Sequence, residues 1–476
     1  MNTRLKVVLA GAVHPNMPGD DRGVIEKAIT EMQVYAKKYA FDLAVWKSPI
    51  SSEDNAEEVR RFCEAEEADF TLLINASLPF GRIMLPLAKV RGRLGFWSFP
   101  EPTRDGVLQL NSFCGVNLMG SLLSHYSRRP GVPGKWFYGQ PESPMFAERL
   151  RCTIRALQAI KGLGSLRIGQ IGGLANGFEN MYVDERDLES KFGTYLQTRH
   201  SVEEIVARAV KLPDSQVAEE IAKARAEAKR VTVSDEHLAK STRVFMACRD
   251  FARENRYDAL AISCWARFQE VYGIAVCGAM SRLNEQGILA VCEADIFSTV
   301  CMAAMKAMTG EKPALNDLVS LDESDNSLNL WHCGVAPTSW ADSKGVTWDC
   351  HFNIGHYDGK TWCGDGMVAD MNFRPGPVTI VSMGGRFDRL FLVTGEVMAG
   401  KPGYAGSSGW VKNIAINGQA VDIPVLINSI ATHGVNHHYS TSYQDLTFEW
   451  NEFAAWMGIA VLPPLEYKPY VQSSPV

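Results

Sequence analysis

The order of strand-like and helical stretches is the feature that most constrains this fold. A short apolar run at residues 5–10 leads into a loop rich in glycine and proline, and a helical stretch follows at Val24–Tyr39. Further strand-like runs come at residues 41–46 and at Phe70–Asn75. Strands that alternate with helices predict a parallel sheet with helices on its faces.

A second alternation of strands and helices begins near residue 167. A strand there runs into glycines, and a helix-rich, charged region covers residues 201–254. Strands at 257–263 and 287–292 enclose a predicted helix at 271–284. These elements predict a second parallel α/β domain.

The pattern of predicted elements changes after Trp331. Short β-prone runs, separated by Gly, Pro and Asp, occur at residues 347–353, 377–383, 388–394 and 423–428. Strands without intervening helices predict a sandwich or a barrel. We therefore predict two Rossmann-like α/β domains with parallel sheets, followed by a β-rich, barrel-like C-terminal domain. The predicted boundaries are 1–160, 161–330 and 331–476.

Charge and cysteine usage exclude several classes of protein. The net charge of -6 and the pI near 6.0 show no basic excess, so neither nucleic acid nor an anionic membrane is expected as the partner. No apolar run reaches the ~20 residues of a membrane span, and residues 1–19 lack the pattern of a secretion signal. The eleven cysteines are scattered, without any Cys-x-x-Cys pair. These features predict a cytoplasmic protein with reduced thiols.

Three separated polar motifs point to a site. They are Cys292-Glu293-Ala294-Asp295, Asn316-Asp317 and Asn436-His437-His438. Carboxylates and an imidazole are ligands that a divalent metal recruits at an oxygen-rich site. Glu293 follows a strand-like run and precedes the helix-prone stretch Ile296–Thr309, which predicts a position at the carboxyl end of a strand. Open parallel sheets bind ligands at that edge.

The motifs also have structural interpretations. An acid at a strand end is commonly a helix N-cap or an ion-pair partner, and paired histidines are often surface residues. If the two histidines lie on an extended segment, their side chains point in opposite directions, so that one can bind metal while the other turns away or meets substrate. The glycines at 169–173 do not form a Gly-x-Gly-x-x-Gly motif, which argues against a dinucleotide site.

Larger motifs resemble the L-fucose isomerase family, including its shorter L-fucose isomerase-like branch. The resemblance begins at Ser281-Arg282-Leu283-Asn284 and continues through Cys292-Glu293-x-Asp295 and Asp317. It extends over residues 330–337 and 373–379 to His437-His438. The related L-arabinose isomerases also end in a His-His pair whose second member binds metal.

The resemblance implies a metal site and an assembly. It implies Glu293, Asp317 and His438 as ligands of Mn²⁺, with Mg²⁺ or Co²⁺ as alternatives, and a homo-oligomer with active sites between subunits. Glu293 and Asp317 are also the candidate catalytic carboxylates. The further candidates for contact with the substrate are His332, His437, Gln269 and Arg22. Arg22 lies in the loop after the first strand, where α/β domains place ligand contacts.

Several functions are compatible with these residues. The leading hypothesis is an aldose–ketose isomerase, an intramolecular oxidoreductase, that acts through a metal-stabilised cis-enediol on a sugar of the L-fucose, D-arabinose or L-arabinose type. An anionic hexose such as sulfoquinovose is the alternative substrate. A non-catalytic sugar-binding protein and a metal-dependent hydrolase or lyase are alternatives of other classes. The apolar segment 95–99 is either a loop that enters a neighbouring subunit or a buried strand end.

Overall fold

The computed structural model describes residues 1–16, 20–126, 132–264 and 266–475. The chain forms two compact units. The smaller unit comprises Asn2–Lys161 and Glu452–Gly458, and the larger unit comprises Met1, Gly162–Asn451 and Ile459–Val476. The three-domain division at 160 and 330 stays a prediction.

The smaller unit is built on a parallel sheet of five strands in the order β2-β1-β3-β4-β5. Apolar side chains are buried on both faces of this sheet, as expected when helices cover both sides. The strands are β1 (Lys6–Ala12), β2 (Asp42–Ile50), β3 (Phe70–Asn75), β4 (Arg93–Ser98) and β5 (Lys135–Tyr138). The helices are α1 (Val24–Tyr39), α2 (Glu53–Ala65), α3 (Met84–Leu87), α4 (Ser112–Tyr126) and α5 (Pro144–Gly164).

The larger unit begins with a second parallel sheet in the order β10-β9-β6-β7. Its strands are β6 (Arg167–Ile171), β7 (Tyr195–His200), β9 (Ala259–Ile262) and β10 (Leu289–Cys292), and the short β8 (Arg230–Val231) pairs elsewhere. The helices are α6 (Glu185–Phe192), α7 (Val202–Val210), α8 (Asp214–Glu227), α9 (Asp235–Asn255), α10 (Arg267–Tyr272), α11 (Cys277–Glu285) and α12 (Ile296–Thr309).

The rest of the larger unit is mainly antiparallel strands. These are β11 (Ala314–Asp322), β12 (Ser327–His332), β13 (Thr347–Cys350), β14 (Gly355–Tyr357), β15 (Trp362–Gly364), β16 (Met367–Asn372), β17 (Gly376–Gly384), β18 (Arg389–Val397), β19 (Ser407–Ile416), β20 (Gln419–Ala420), β21 (His438–Tyr443) and β22 (Ala460–Val461). Two helices are interspersed, α13 (Ile423–His433) and α14 (Thr447–Met457). Pairing of β18 with β19 closes the path β18-β17-β21-β11-β12-β19 into an antiparallel barrel. Both parallel sheets and the barrel-like C-terminal region agree with the predicted fold.

Two local predictions were wrong. The β-prone run at 423–428 is helix α13, because Asp422 caps its first turn through Val425 N–H, proline stands in that turn, and Gly434 ends it in the left-handed conformation. The helix predicted at 271–284 is interrupted, since Gly273 ends α10 with a φ of 73° before α11 begins.

The segment at 95–99 is buried. It lies in β4 and just beyond it, and Trp97 and Phe99 are 0% and 3% exposed. The interpretation as a strand end is therefore confirmed, and that of a loop entering a neighbouring subunit was wrong. Among the described residues, no helix is both long and apolar enough to cross a membrane.

A buried ion pair fixes α11 in the larger unit. Arg282, with a side chain 1% exposed, donates to Glu220 Oε1 at 2.7 Å and to Glu227 Oε2 at 2.8 Å. Glu220 is itself 4% exposed. Because removal of the guanidinium leaves the buried Glu220 with only the more exposed Lys223 and Arg249 as partners, we expect Arg282→Met to lower the free energy of unfolding by up to about 3–5 kcal/mol. Urea denaturation measures the change.

The matched control is Arg267→Met. Arg267 pairs with Glu203 at the surface, with the two side chains 52% and 49% exposed. Exposed pairs of this kind contribute about 1 kcal/mol or less. Equal losses for the two variants would contradict the assignment of Arg282 to the core.

Candidate metal centre

Glu293 occupies a constrained turn between β10 and α12. Glu293 and Ala294 both have a φ of 58°, a left-handed conformation that residues other than glycine rarely adopt. Backbone hydrogen bonds hold the turn, from Ala294 N–H to Ile262 O at 3.0 Å and from Asp295 N–H to Cys292 O at 3.2 Å. Asp295 then caps α12 by accepting from Ser298 N–H. The turn thus fixes the Glu293 side chain at the carboxyl end of the sheet, as predicted.

Asp317 and His438 come from neighbouring barrel strands. His438 is the first residue of β21 and stands directly opposite Asp317 of β11 in the antiparallel ladder. Residues opposite each other in such a ladder have closely spaced side chains. Asp317 is the fourth residue of β11. The register of the barrel brings these two residues together although they are distant in sequence.

Three side chains converge on the His438 ring. Its Nε2 lies 3.3 Å from Glu293 Oε2 and 3.7 Å from Asp317 Oδ1. Its Nδ1 lies 3.0 Å from Asp295 Oδ2. Nδ1 makes a hydrogen bond to an acceptor and Nε2 makes none to any described residue, so in the neutral imidazole, the form that binds a metal, the proton lies on Nδ1 and the lone pair of Nε2 faces Glu293 and Asp317.

The inner atoms of this cluster lack partners of their own. His438 Nε2 and Asp317 Oδ1 are buried and make no hydrogen bond to any described residue. Acceptors that face one another in this way repel unless a cation lies between them, since a buried polar atom without a partner is costly. Two carboxylates and one imidazole form a donor set that suits manganese. The cluster therefore fits a divalent cation.

The two aspartates beside His438 have shifted pKa values in opposite directions. Burial raises the pKa of the Asp317 carboxyl, and the nearby imidazoles only partly oppose this. Burial also acts on Asp295, but hydrogen bonds from His438 and Ser298 outweigh it and lower the pKa of that carboxyl. Asp295 therefore supports His438 from its Nδ1 side, whereas a nearby cation would offset the cost of burying the Asp317 carboxylate.

His437 differs from His438 in its tautomer. The Asn180 side-chain amide donates to His437 Nδ1 at 3.3 Å, which leaves the proton on Nε2, 3.5 Å from Glu293 Oε2. Both histidines thus reach Glu293, and the expectation that they point in opposite directions was wrong. His437 lies just before β21, so the alternation of a strand does not apply to it. This tautomer makes His437 a hydrogen-bond donor, and His438 the metal-ligand candidate.

His332 also lies at this cluster. It is 2% exposed at the end of β12, and one ring nitrogen lies within 4.8 Å of a carboxylate oxygen of Asp317 and a ring nitrogen of His438. Its Nδ1 accepts a hydrogen bond from Cys333 N–H at 3.0 Å, so Nε2 carries the proton. This arrangement favours a donor to a substrate oxygen.

The other two substrate candidates are not part of this cluster. Gln269 of α10 donates to Asp365 Oδ2 at 3.2 Å and makes no hydrogen bond to the cluster within the described part of the chain. Arg22 is exposed and belongs to the smaller unit. Residues 17–19 of its loop lie outside the described residues. Contact of Gln269 or Arg22 with a substrate stays a prediction.

Sequence reasoning gave Asp295 no role of its own. It was present in the motif Cys292-Glu293-Ala294-Asp295, but only the fold shows that it supports His438. Metal-binding histidines usually donate their second ring N–H to such a carboxylate.

We expect Asp295→Asn to weaken manganese binding by about 10- to 100-fold, because an amide can donate to Nδ1 of His438 and move the proton to Nε2. Titration calorimetry with Mn²⁺ measures the change.

Asp422→Asn is the control for this variant. Asp422 caps α13 by accepting from Val425 N–H at 3.0 Å, just as Asp295 caps α12. Asparagine caps a helix about as well as aspartate, so Asp422→Asn should keep the fold and leave metal affinity unchanged. A similar loss of affinity in both variants would argue against a specific role of Asp295.

Curated relatives of this chain are isomerases. It is 29% identical over 355 residues to the sulfoquinovose isomerase of Priestia aryabhattai, covering 74% of this chain and 75% of the relative. It is 27% identical over 370 residues to the sulfoquinovose isomerase of Alkalicoccus urumqiensis, covering 77% and 79%. A third relative of that name, from Clostridium sp. (strain MSTE9), is 26% identical over 363 residues. The chain is accordingly an enzyme of the isomerase class.

Other comparisons add little. No protein-family model matches the chain. A sugar ABC transporter structure from Yersinia enterocolitica covers 65% of this chain and 80% of its own at 10% identity, with a TM-score of 0.18. A similarity at that level carries no argument about fold or function.

Proposed function

We propose that this chain is a metal-dependent aldose–ketose isomerase that acts on a sugar. The main observation in support is the convergence of Glu293, Asp317 and the unprotonated nitrogen of His438 on one position. These three side chains would hold the divalent ion, with Mn²⁺ as the preferred metal. The isomerase relatives supply the reaction class.

The proposed chemistry needs a polarised carbonyl and a base near the C1–C2 bond. A bound divalent ion would polarise the sugar oxygens and stabilise the negative charge that develops on them. Glu293 and Asp317 are the carboxylates that would take a proton from one carbon and return it to the other. The Nε2–H groups of His437 and His332 would donate to hydroxyl oxygens and orient the sugar.

We propose sulfoquinovose as the substrate. The relatives that support it carry that name, and the chain covers about three quarters of their length. Sulfoquinovose is an aldohexose with a sulfonate at C6, and its reactive end presents the same C1 and C2 oxygens as a neutral sugar. The neutral sugars L-fucose, D-arabinose and L-arabinose are the competing substrates.

A panel assay tests this proposal. The metal-free protein is incubated with each sugar, with and without Mn²⁺, and ketose is measured by nuclear magnetic resonance. We expect manganese-dependent turnover of sulfoquinovose at the highest kcat/KM. Deuterium from D₂O at C1 of the ketose, or at C2 of aldose re-formed from it, would support proton transfer by a carboxylate. Preference for a neutral sugar would refute the substrate proposal, and undiminished turnover after exhaustive chelation would refute the metal.

Assembly is a further part of the proposal. We propose a homo-oligomer, for which the exposed apolar side chains of Phe113, Trp136 and Met145 on the smaller unit provide a suitable surface. Analytical ultracentrifugation tests it. A fully active monomer at assay concentration would argue against an active site shared between subunits.

A further inference from the structure

Four cysteines from separate parts of the larger unit meet beside His332. Cys264 follows β9, Cys277 begins α11, Cys292 ends β10 and Cys333 follows β12. The Sγ–Sγ distances are 2.7 Å for Cys264 and Cys292, and 3.8 Å for Cys277 and Cys333. Cys333 is the half-buried member of this thiol cluster, and the other three are buried.

His351 argues against a metal at the thiol cluster. One of its ring nitrogens lies within 4.8 Å of the sulfurs of Cys277 and Cys333. Its Nδ1 accepts hydrogen bonds from the N–H groups of Asn353 and Ile354 at 3.1 and 2.9 Å, so the proton is on Nε2. A protonated Nε2 has no lone pair for a metal. It is buried and has no partner within the described residues, which leaves it able to donate to sulfur.

We propose that Cys333 and Cys277 are a reversible redox pair that closes to a disulfide on exposure to a peroxide and thereby lowers turnover at the neighbouring site. The loss of turnover rests on the proposed function. Formation of the disulfide does not.

The positions of the two sulfurs allow closure, and the exposure of Cys333 distinguishes this pair from Cys264 and Cys292, whose sulfurs are closer but both buried. A disulfide is about 2.05 Å long, so the sulfurs must approach by about 1.8 Å from their distance of 3.8 Å. Cys333 stands just past the end of β12, before Gly334 with a φ of 98°. Rotation of its side chain therefore breaks no pairing of β12. Because Cys333 is the half-buried sulfur, it is also the one that a small oxidant reaches first.

The chemistry balances with one peroxide. The Cys333 sulfur attacks hydrogen peroxide, an S–O bond forms, the O–O bond breaks, and water leaves with the thiol proton. The Cys277 sulfur then attacks the Cys333 sulfenic acid, the S–S bond forms, and the hydroxyl group leaves as a second water. Two thiols are oxidised by two electrons and the peroxide is reduced. A dithiol reductant reverses the reaction by exchange.

His332 connects the redox pair to the candidate metal centre. Its Nδ1 lies 3.3 Å from Cys333 Sγ, while its ring lies 5.6 Å from that of His438, centroid to centroid. Disulfide formation moves the sulfur toward Cys277 and removes this contact. Since misplacement of a substrate-orienting group by about 1 Å can cost up to about 100-fold in rate, we expect turnover to fall at least tenfold.

The experiment treats the full-length reduced protein with hydrogen peroxide and blocks the remaining thiols by alkylation. Intact mass is expected to show the loss of two hydrogens, and peptide mapping to show Cys277 joined to Cys333. Dithiothreitol should restore both mass and activity. Cys277→Ser and Cys333→Ser should each prevent the cross-link, whereas Cys114→Ser, at an exposed cysteine of the smaller unit, should leave it unchanged.

Other outcomes would overturn the redox pair. One is a cross-link between Cys264 and Cys292 alone, and another is the absence of any intramolecular cross-link. A third is zinc that protects the sulfurs from oxidation and stays bound in Glu293→Gln, because such zinc would be held by the thiol cluster. A cross-link that forms without loss of turnover would overturn its link to the site. If the cross-link forms but the reduced protein isomerises no sugar, the redox pair stands and the proposed function fails.

Discussion

Glu293→Gln is expected to lose isomerase activity by at least about 10²- to 10⁴-fold, the contribution of a positioned acid or base. The amide retains the size of the side chain but can neither accept a proton from carbon nor offer a charged ligand. Because Glu293 is only 13% exposed in a turn fixed by backbone hydrogen bonds, we expect the fold to survive. Steady-state kinetics with saturating Mn²⁺ measures the loss, and circular dichroism monitors the fold.

Glu285→Gln provides the matched control. Glu285 is also a partly buried carboxylate of the larger unit, where it pairs with Lys312 and accepts from Ser339 N–H at 2.9 Å. Loss of this pair affects stability alone, so kcat should be unchanged. If Glu293→Gln retained more than about a tenth of the activity, Glu293 could not be the base.

His438→Ala is expected to weaken manganese binding by more than about 100-fold. This loss is larger than the one expected from removing a residue that only hydrogen-bonds to a metal ligand. The variant removes the imidazole and leaves Glu293 and Asp317 facing each other without a neutral ligand between them. Asp295 also loses its hydrogen-bond donor. Electron paramagnetic resonance of free Mn²⁺ measures the affinity directly and does not depend on the identity of the substrate.

A second buried histidine controls for damage to the core. His433 is 3% exposed, and its ring nitrogens lie 2.9 Å from Ser474 Oγ and 2.8 Å from Pro463 O. We expect His433→Ala to lower the melting temperature without a change in manganese affinity. Normal metal binding by His438→Ala would exclude His438 as a ligand.

Local signals allowed some elements to be predicted closely. Helix α12 begins and ends where it was expected, since Asp295 caps its start and Gly310 ends it in the left-handed conformation. The same kinds of signal surround α13, where Asp422 and Gly434 mark both ends. The β-prone residues within this segment favour a strand, but its two caps stabilise a helix, so the prediction of a strand was wrong.

The candidate site depended on information that local sequence does not contain. Glu293 could be assigned to a strand end from its neighbours, but the pairing of His438 with Asp317 follows from the insertion of β21 between β11 and β17. The tautomers of His437 and His438 depend on Asn180 and Asp295, and only the fold brings Asn180 to this site. The thiol cluster was missed for the same reason, because its members are scattered along the chain.

The central position of β21 in the barrel has a consequence for the order of biosynthesis. The ribosome releases β11, β12, β17, β18 and β19 before β21, so a nascent chain contains Glu293 and Asp317 before it contains His438. Strand β21 must then join β17 to β11 before His438, the last of the three proposed ligands, reaches the site. Capture of the metal would thus be one of the latest events in maturation, and uptake of manganese during refolding would report when the barrel closes.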